Sequence, residues 1–482
     1  MRRFPALLAL LLLTVVLAAN IYRAATQSFT SDEARTFNDF VRRPAGEALA
    51  VYDANNHVLN TLLARISAAV LGVSKFTLRL PSLAGGALYL AAVWVLSRRL
   101  FGNSWRSLVA VSTLALNPYI LDFLSAARGY GMALALLLWA LEFLSRYQET
   151  LERKHLNFAA LALALALASN LTLAFPGTAL AALAAAQLMA RREFRTALDD
   201  FLLPGLLAAF LLLVLPLRNA AASNFYVGLA SLRDSYQGLI VSSIYHSTRL
   251  LPEAAGQASL LRFWLYRTTL ALAPVVALAA AAAIGILLSR RKMPAPHERF
   301  VILCGGAWLG SLALLVAAHR FFGVPYPEGR TGLYLIPLFC LTAFALLAWA
   351  QTGKWTARTL APLGLLYFGL CAFDFARSWN TSFYLEWPFD ARTEDVLRWI
   401  EERHAAQPRP LRLSVAGPTV LTLEFYRHIR PLDWLTVVNR GVKPEPADFY
   451  LLPPGEAAGY QVLWRDDLAR VVLATAASAP GP

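Results

Sequence analysis

Apolar runs of membrane length recur from Phe4 to about Phe375 and then stop. A helix needs about 20 apolar residues to cross the bilayer core. In hydrocarbon every backbone polar group must be satisfied within its own segment. A chain that repeats such runs is therefore bound to fold as packed membrane helices. The composition, 57% hydrophobic and only 15% charged, excludes an ordinary soluble protein of 482 residues. From Ala376 to Pro482 the composition turns soluble. Two domains are expected: a membrane domain over 1–375, with a first external loop over 21–80, and a small domain over 376–482.

The runs predict eleven membrane helices, near Phe4–Asn20, Pro81–Ser97, Ser107–Leu121, Gly129–Ser145, His155–Ala168, Pro176–Ala190, Phe201–Leu217, Phe263–Ser289, Phe300–Ala317, Thr331–Ala350 and Thr356–Phe375. The stretch His57–Leu71 is short for a crossing, and charge decides its reading. If it does not cross, one set of loops (98–106, 146–154, 191–199, 290–299, 351–358 and the N-terminus) carries about one Lys or Arg in three residues, against about one in ten in the opposite set. The positive-inside rule places the first set in the cytoplasm. Counting His57–Leu71 as a crossing would put Arg98-Arg99 and Arg290-Arg291-Lys292 outside. It is read as an amphipathic helix on the outer surface, and the C-terminal domain, after an odd number of crossings, as extracytoplasmic. The apolar start after Met1-Arg2-Arg3 resembles a signal peptide, but no clear small-residue cleavage site follows; an uncleaved first helix is expected.

The net charge of +14 sits in the membrane part, because the C-terminal domain holds 12 Lys/Arg against 13 Asp/Glu. Such a distribution implies no nucleic-acid partner. Topology, anionic lipid headgroups and a phosphate ligand account for it. Cys304, Cys340 and Cys371 all lie in apolar runs, where they act as small hydrophobes, and no disulfide or zinc framework is available. The C-terminal domain reads as α/β: helix Thr393–Ala405, strand Leu411–Val415, helix Thr419–His428, and strands Trp434–Val438, Phe449–Leu452, Tyr460–Trp464 and Val471–Leu473. Trp379, Tyr384 and Trp387 suit core packing better than sugar or lipid contact.

Four polar features fall on the outer face. Asp32-Glu33 follow the first helix, and a carboxylate pair just outside a bilayer has to be hydrated, paired or bound. His57 opens the surface helix. Asp122 ends the third helix, after Asn117-Pro118, and is followed by Arg128-Gly129-Tyr130. Arg330 starts the tenth helix in Pro325-Tyr326-Pro327-Glu328-Gly329-Arg330. Carboxylates with arginines at a membrane surface suit one chemistry: an acid deprotonates an acceptor hydroxyl while arginine holds a phosphate leaving group. Each residue also has a bland reading. His57 caps its helix, Asp122 pairs with Arg128, Arg128 and Tyr130 mark an interfacial anchor, and Arg330 snorkels from a helix end. Lys75 and Arg79 are read as neutralising outer headgroups or the surface helix. Asn170-Leu171-Thr172 matches a glycosylation sequon.

At these residues the chain resembles the GT-C glycosyltransferases, in the branch of protein O-mannosyltransferases and lipid A aminoarabinose transferases. The resemblance rests on Asp32-Glu33, Asn56-His57-Val58, Arg79-Leu80-Pro81-Ser82, the Arg98-Arg99-Leu100-Phe101-Gly102 exit and Asn117-Pro118. It covers residues 1–150 well and 320–340 loosely. It implies Asp32 as general base with Glu33 beside it, Asp122 as the second-loop carboxylate, His57 in the place of the family's surface-helix histidine, and Arg330 at the lipid phosphate; Arg128, Tyr130 and Glu328 are read from their own positions as further substrate-binding residues. The Pro-Pro that follows the family's histidine is absent here. The implied partners are membrane lipid, a polyprenyl-phosphate-linked sugar donor and an acceptor of unspecified kind, in a cell-envelope membrane. No metal ligand is assigned, and magnesium or manganese is compatible with two separated carboxylates. A transporter or flippase for a polyprenyl-linked substrate is the other reading. It calls for ionisable groups near the midplane and internal repeats, which this sequence does not offer.

Overall fold

The computed structural model describes residues 3–50, 53–220, 227–246, 259–290, 295–441 and 446–476. Arg291 and Lys292 lie outside them. Eight helices among the described residues are long and apolar enough to cross a membrane: Phe4–Thr26, Lys75–Phe101, Leu171–Ala190, Thr196–Arg218, Leu260–Ser289, His297–Phe322, Gly329–Ala350 and Trp355–Ser378. The protein is a mainly helical, multi-pass membrane protein with a small C-terminal sheet domain.

The other three expected spans form helices but fall short of that standard, each for a local reason. The run Ser107–Leu121 breaks into Trp105–Leu116 and Pro118–Phe123, because Pro118 has no N–H and Asn117 leaves helical geometry before it. Helix Tyr130–Thr150 carries Glu142 and Arg146, which lower its mean hydropathy. Helix Arg153–Ser169 is 17 residues long and opens on Arg153, Lys154 and His155. The proposed surface segment is helix Val58–Leu71, 14 residues, about 21 Å at 1.5 Å per residue and so too short for a 30 Å core. Ile66, Val70 and Leu71 on it are exposed.

The chain packs as two units. One comprises Met1–Ile21, Val51–Asn60 and Pro81–Trp379, the other Tyr22–Ala50, Thr61–Leu80 and Asn380–Pro482. In the first, helices Tyr130–Thr150 and Arg153–Ser169 pair, and Pro296–Phe322 lies between Ala174–Ala190 and Leu335–Ala350.

In the second unit, strands β1 (Leu411–Val415), β2 (Leu435–Asn439), β3 (Phe449–Leu452), β4 (Tyr460–Asp466) and β5 (Val471–Ala476) form one sheet in the order β2-β1-β3-β5-β4. The β2-β1-β3 side of the sheet is parallel (Leu413 opposite Val437 and Phe449) and its β3-β5-β4 side antiparallel. Leu413 and Val415, with Leu451 and Leu473, are buried on one face of the sheet, and Leu452, Val472 and Ala474 on the other. Helices Thr393–Ala406 and Thr419–Ile429 flank it, and each expected strand and helix of this domain is present within a few residues of its expected limits. Tyr384 and Trp387 are buried, which makes them packing residues.

Candidate functional site

The Asp32-Glu33 segment is built by a helix start. Thr30 caps helix Ser31–Thr36: its hydroxyl accepts from Glu33 N (3.3 Å) and Glu33 Oε2 accepts from Thr30 N (2.8 Å), a reciprocal capping box. Glu33 is spent a second time. Arg79 donates to Glu33 Oε1 through Nε (2.8 Å) and to Oε2 through Nη2 (2.7 Å), and both side chains are fully buried. Arg79 also donates to the carbonyls of Ala24, Gln27 and Ser28, and lies over the rings of Phe29 and Tyr384. The expectation that Arg79 neutralises headgroups is therefore corrected: it is an interior arginine that organises the loop. Lys75 pairs with Glu394.

The C-terminal domain holds the other side of this segment. Phe29 stacks on Phe425 at 4.0 Å, and Phe29 N donates to the Tyr426 hydroxyl at 2.7 Å. Asp390, fully buried, accepts from Ser31 N (2.7 Å) and from Thr422 Oγ1 (3.0 Å). Burial pushes its carboxyl up to about 7; the Ser31 and Thr422 hydrogen bonds act in the opposite sense, and the charge of Asp32 adds to the rise. Asp32 remains half-buried, at the second position of the short helix. Of the two adjacent acids, one is locked and the other stays within reach of solvent.

The first unit gathers His57, Arg128, Tyr130 and Arg330. Asp53 turns the chain before His57, accepting from Asn55 N at 2.7 Å through its side chain and from Asn56 N at 2.9 Å through its carbonyl. His57 Nδ1 lies 2.8 Å from Ser169 O, which can only accept, so the proton is on Nδ1 and Nε2 keeps the lone pair. Nε2 is buried with no hydrogen-bond partner among the described residues. Burial, Arg128 and Arg330 together lower the His57 pKa well below the usual imidazole range, which keeps the ring neutral at pH 7.

Tyr130 packs edge-on against His57 at 4.8 Å, and Phe123 lies 4.8 Å from Tyr130. Ser82 fixes Arg128 through both its backbone groups: the hydroxyl accepts from Arg128 N (3.1 Å) and donates to Arg128 O (3.0 Å). The guanidinium donates to Asn55 O at 3.3 Å. Gly129 is required between them, because a Cβ there would lie 2.0 Å from Ser169 O and 2.8 Å from His57 Cβ. Asp122 is buried on helix Pro118–Phe123, whose start is capped by Asn117 Oδ1. Arg330 is half-buried in the turn Gly329–Gly332, and Glu328 is exposed, its backbone N–H held by Thr331 Oγ1 at 2.8 Å.

A cavity of about 510 Å³ adjoins these elements. Asn117, the cap of the Asp122 helix, lines it, as do Leu335 and Ile336, just beyond Arg330. The remaining wall is mostly apolar, including Leu239, Trp308, Phe339 and Phe368. Leu239 also packs on Gly332. Among the described residues no three His, Cys, Asp or Glu side chains converge as a metal site would require.

The structure thus brings His57, Arg128, Tyr130 and Arg330 together, sets Asp122 on the helix beside them, and leaves Glu328 at the surface. Asp32 and Glu33 belong to the second unit. Sequence reasoning missed Asp390; its one local trace is an acid in the aromatic turn Trp387-Pro388-Phe389-Asp390. Asn170, the sequon residue, is buried and caps its own turn by accepting from Thr172 N and Thr172 Oγ1.

Residues 58–221 match the dolichyl-phosphate-mannose-protein mannosyltransferase family. This match bears out the resemblance drawn from the sequence. Three solved structures are similar at 13% identity. The crystal structure of ArnT from Cupriavidus metallidurans bound to undecaprenyl phosphate has a TM-score of 0.40, with 98% of this chain and 99% of that chain covered. The apo form of the same protein has a TM-score of 0.39, with 96% and 97% covered. The cryo-EM structure of arabinosyltransferase EmbB from Mycobacterium smegmatis has a TM-score of 0.32, with 80% and 42% covered. No curated protein matches the chain by sequence.

Proposed function

We propose that this protein is a membrane glycosyltransferase that moves one sugar from a polyprenyl-phosphate donor to an acceptor at the outer face of the membrane. The observation that carries the reading is the placing of Arg128 and Arg330 around a neutral histidine, in the same unit as a large apolar cavity that Asn117, Leu335 and Ile336 line. Guanidiniums suit the oxygens of a phosphate, and an apolar cavity lined by Asn117, Leu335 and Ile336 suits a hydrocarbon chain carried by that phosphate. The family match over residues 58–221 supports the same donor class.

In this reading Asp32 takes the proton of the acceptor hydroxyl as its oxygen attacks the anomeric carbon. The bond from that carbon to the phosphate oxygen breaks, and polyprenyl phosphate leaves with the electron pair. Arg330 and Arg128 stabilise the charge that develops on it. Neutral His57, with its Nε2 lone pair, accepts a hydrogen bond from a sugar hydroxyl beside Tyr130. Glu33 holds the Asp32 helix in place through Arg79. Residues 1–375 form the catalytic membrane domain and 376–482 an extracytoplasmic domain that braces the Asp32 segment.

Arg330→Ala tests the donor site. A hydrogen bond to a charged group contributes about 1.5–3 kcal/mol, so binding of a polyprenyl-phosphate sugar should weaken about 10- to 150-fold. Binding of a phosphate-free acceptor should hold. Unchanged donor affinity in Arg330→Ala with a loss in Arg128→Ala would move the phosphate site to the second external loop. Release of intact labelled donor across the bilayer, with no sugar transferred, would establish a transporter instead.

A further inference from the structure

A second cavity, of about 550 Å³, lies at the opposite end of the first unit's helices. Ser82, which grips Arg128, and Arg98, which lines this cavity, sit on one continuous helix, Lys75–Phe101. Their separation of 16 positions corresponds to about 24 Å along the axis, most of a hydrocarbon core. The cavity belongs to neither the histidine cluster nor the apolar chamber, and the proposed transfer reaction makes no use of it.

Its charges are arranged unequally. Glu142 on helix Tyr130–Thr150 is fully buried and takes Arg99 in a two-point pair (2.8 and 2.7 Å) together with Arg146 Nε (2.6 Å). Glu149, two turns further along the same face, takes the remaining Arg99 Nη1 at 2.5 Å. Both acids are thereby engaged. Arg98 lies over the Trp94 ring at 4.9 Å and has no ion pair among the described residues. Arg146 is half exposed, with its terminal nitrogens beyond the bond to Glu142. His297 stands in the first turn of helix Pro296–Phe322, the positive end of a 27-residue helix dipole. Glu298 caps this helix end by accepting from Ala295 N and pairs with Arg290, so the cavity itself sets Arg98, Arg99 and Arg146 against Glu142 and Glu149, an excess of one positive charge. The rest of the wall is Gly102 and Asn103 with an apolar part from Val95, Leu100 and Phe300.

We infer that this cavity seats the phosphate group of an anionic phospholipid. The guanidiniums of Arg98 and Arg146 and the His297 ring hold the phosphate oxygens, and the apolar wall takes the glycerol and upper acyl chain. A free phosphate shares the charge chemistry but has no use for the apolar wall, so a lipid is the occupant the lining fits. The loop charge bias puts this end in the cytoplasmic leaflet, which is the anionic one.

The test is native mass spectrometry of the full-length protein in neutral detergent, titrated with phosphatidylglycerol or phosphatidylcholine, each with and without inorganic phosphate. Phosphatidylglycerol should bind at least tenfold more tightly. Arg98→Gln should remove about tenfold of that preference, the effect of one charge-assisted hydrogen bond. His297→Gln should remove a further part, and phosphatidylcholine binding should stay level in both. Arg98→Lys keeps charge but not the planar fork; its smaller loss reads the same site should Arg98→Gln fail to fold. Wild-type phosphatidylglycerol affinity in the Arg98→Gln/His297→Gln double variant would overturn the proposal. So would full displacement of the lipid by millimolar inorganic phosphate, which would make the occupant a soluble anion. Sugar transfer is not the readout, so a failure here leaves the glycosyltransferase reading standing, and the reverse holds as well.

Discussion

Glu33→Ala strips a fully buried guanidinium of its counter-charge. Removing one partner of a buried ion pair costs about 3–5 kcal/mol. Arg79 would keep the carbonyls of Ala24, Gln27 and Ser28 and the faces of Phe29 and Tyr384, which places the loss near the low end, about 3 kcal/mol. The same change deletes the acceptor for Thr30 N, adding about 1 kcal/mol. Against a typical domain stability of about 5–15 kcal/mol, a loss of about 4 is severe. The assay is fluorescence-detected gel filtration after heating, run beside Asp32→Asn. Glu33→Ala should lose its monodisperse peak at a much lower temperature than wild type. Asp32→Asn should melt normally yet transfer sugar about 10²–10⁴-fold more slowly, the usual contribution of a general base. Wild-type melting in Glu33→Ala, or near-normal turnover in Asp32→Asn, would refute the division of labour between the two acids.

Gly129→Ala forces a Cβ to within 2.0 Å of Ser169 O, an overpacking that should cost about 3 kcal/mol and be seen as lower yield and melting temperature; tolerance would mean that the His57 turn is looser than described. Asp390 has its carboxyl raised to about 7, against about 4 in an unfolded chain. The folded state therefore holds the extra proton between those values, and this contribution to stability falls as pH rises from about 4 to 7. Asp390→Asn should flatten that slope in melting temperature, and an unchanged slope would show that another group sets it. The three native cysteines are buried, so single introduced ones report topology: Thr352→Cys should label only from the cytoplasmic side and Gln407→Cys only from outside. Labelling of Thr352→Cys from outside would invert the topology and remove the shared-face argument.

The C-terminal sheet was legible because its strands are short, largely apolar runs such as Leu411–Val415 and Val471–Ala476, set off by turn residues, as at Gly417-Pro418 before helix Thr419–Ile429. The break at Asn117-Pro118 was also local, but it lay inside an apolar run whose hydropathy concealed it. A count of crossings made from hydropathy alone cannot see that Pro118 ends one helix and starts another.

The candidate site divides along the same line. Residue types and loop charge were enough to single out Asp32-Glu33, His57, Arg128 and Arg330, because carboxylates and arginines next to membrane helices are costly unless used. Which of the adjacent acids is locked depends on Arg79, 46 positions from Glu33, and on Asp390, 359 positions from Ser31. Pairings of that kind arise only when distant segments are packed together. An arginine at a helix start has the same sequence neighbours whether it faces headgroups or a buried carboxylate. Burial and hydrogen-bond geometry separate the two cases, and both belong to the folded chain.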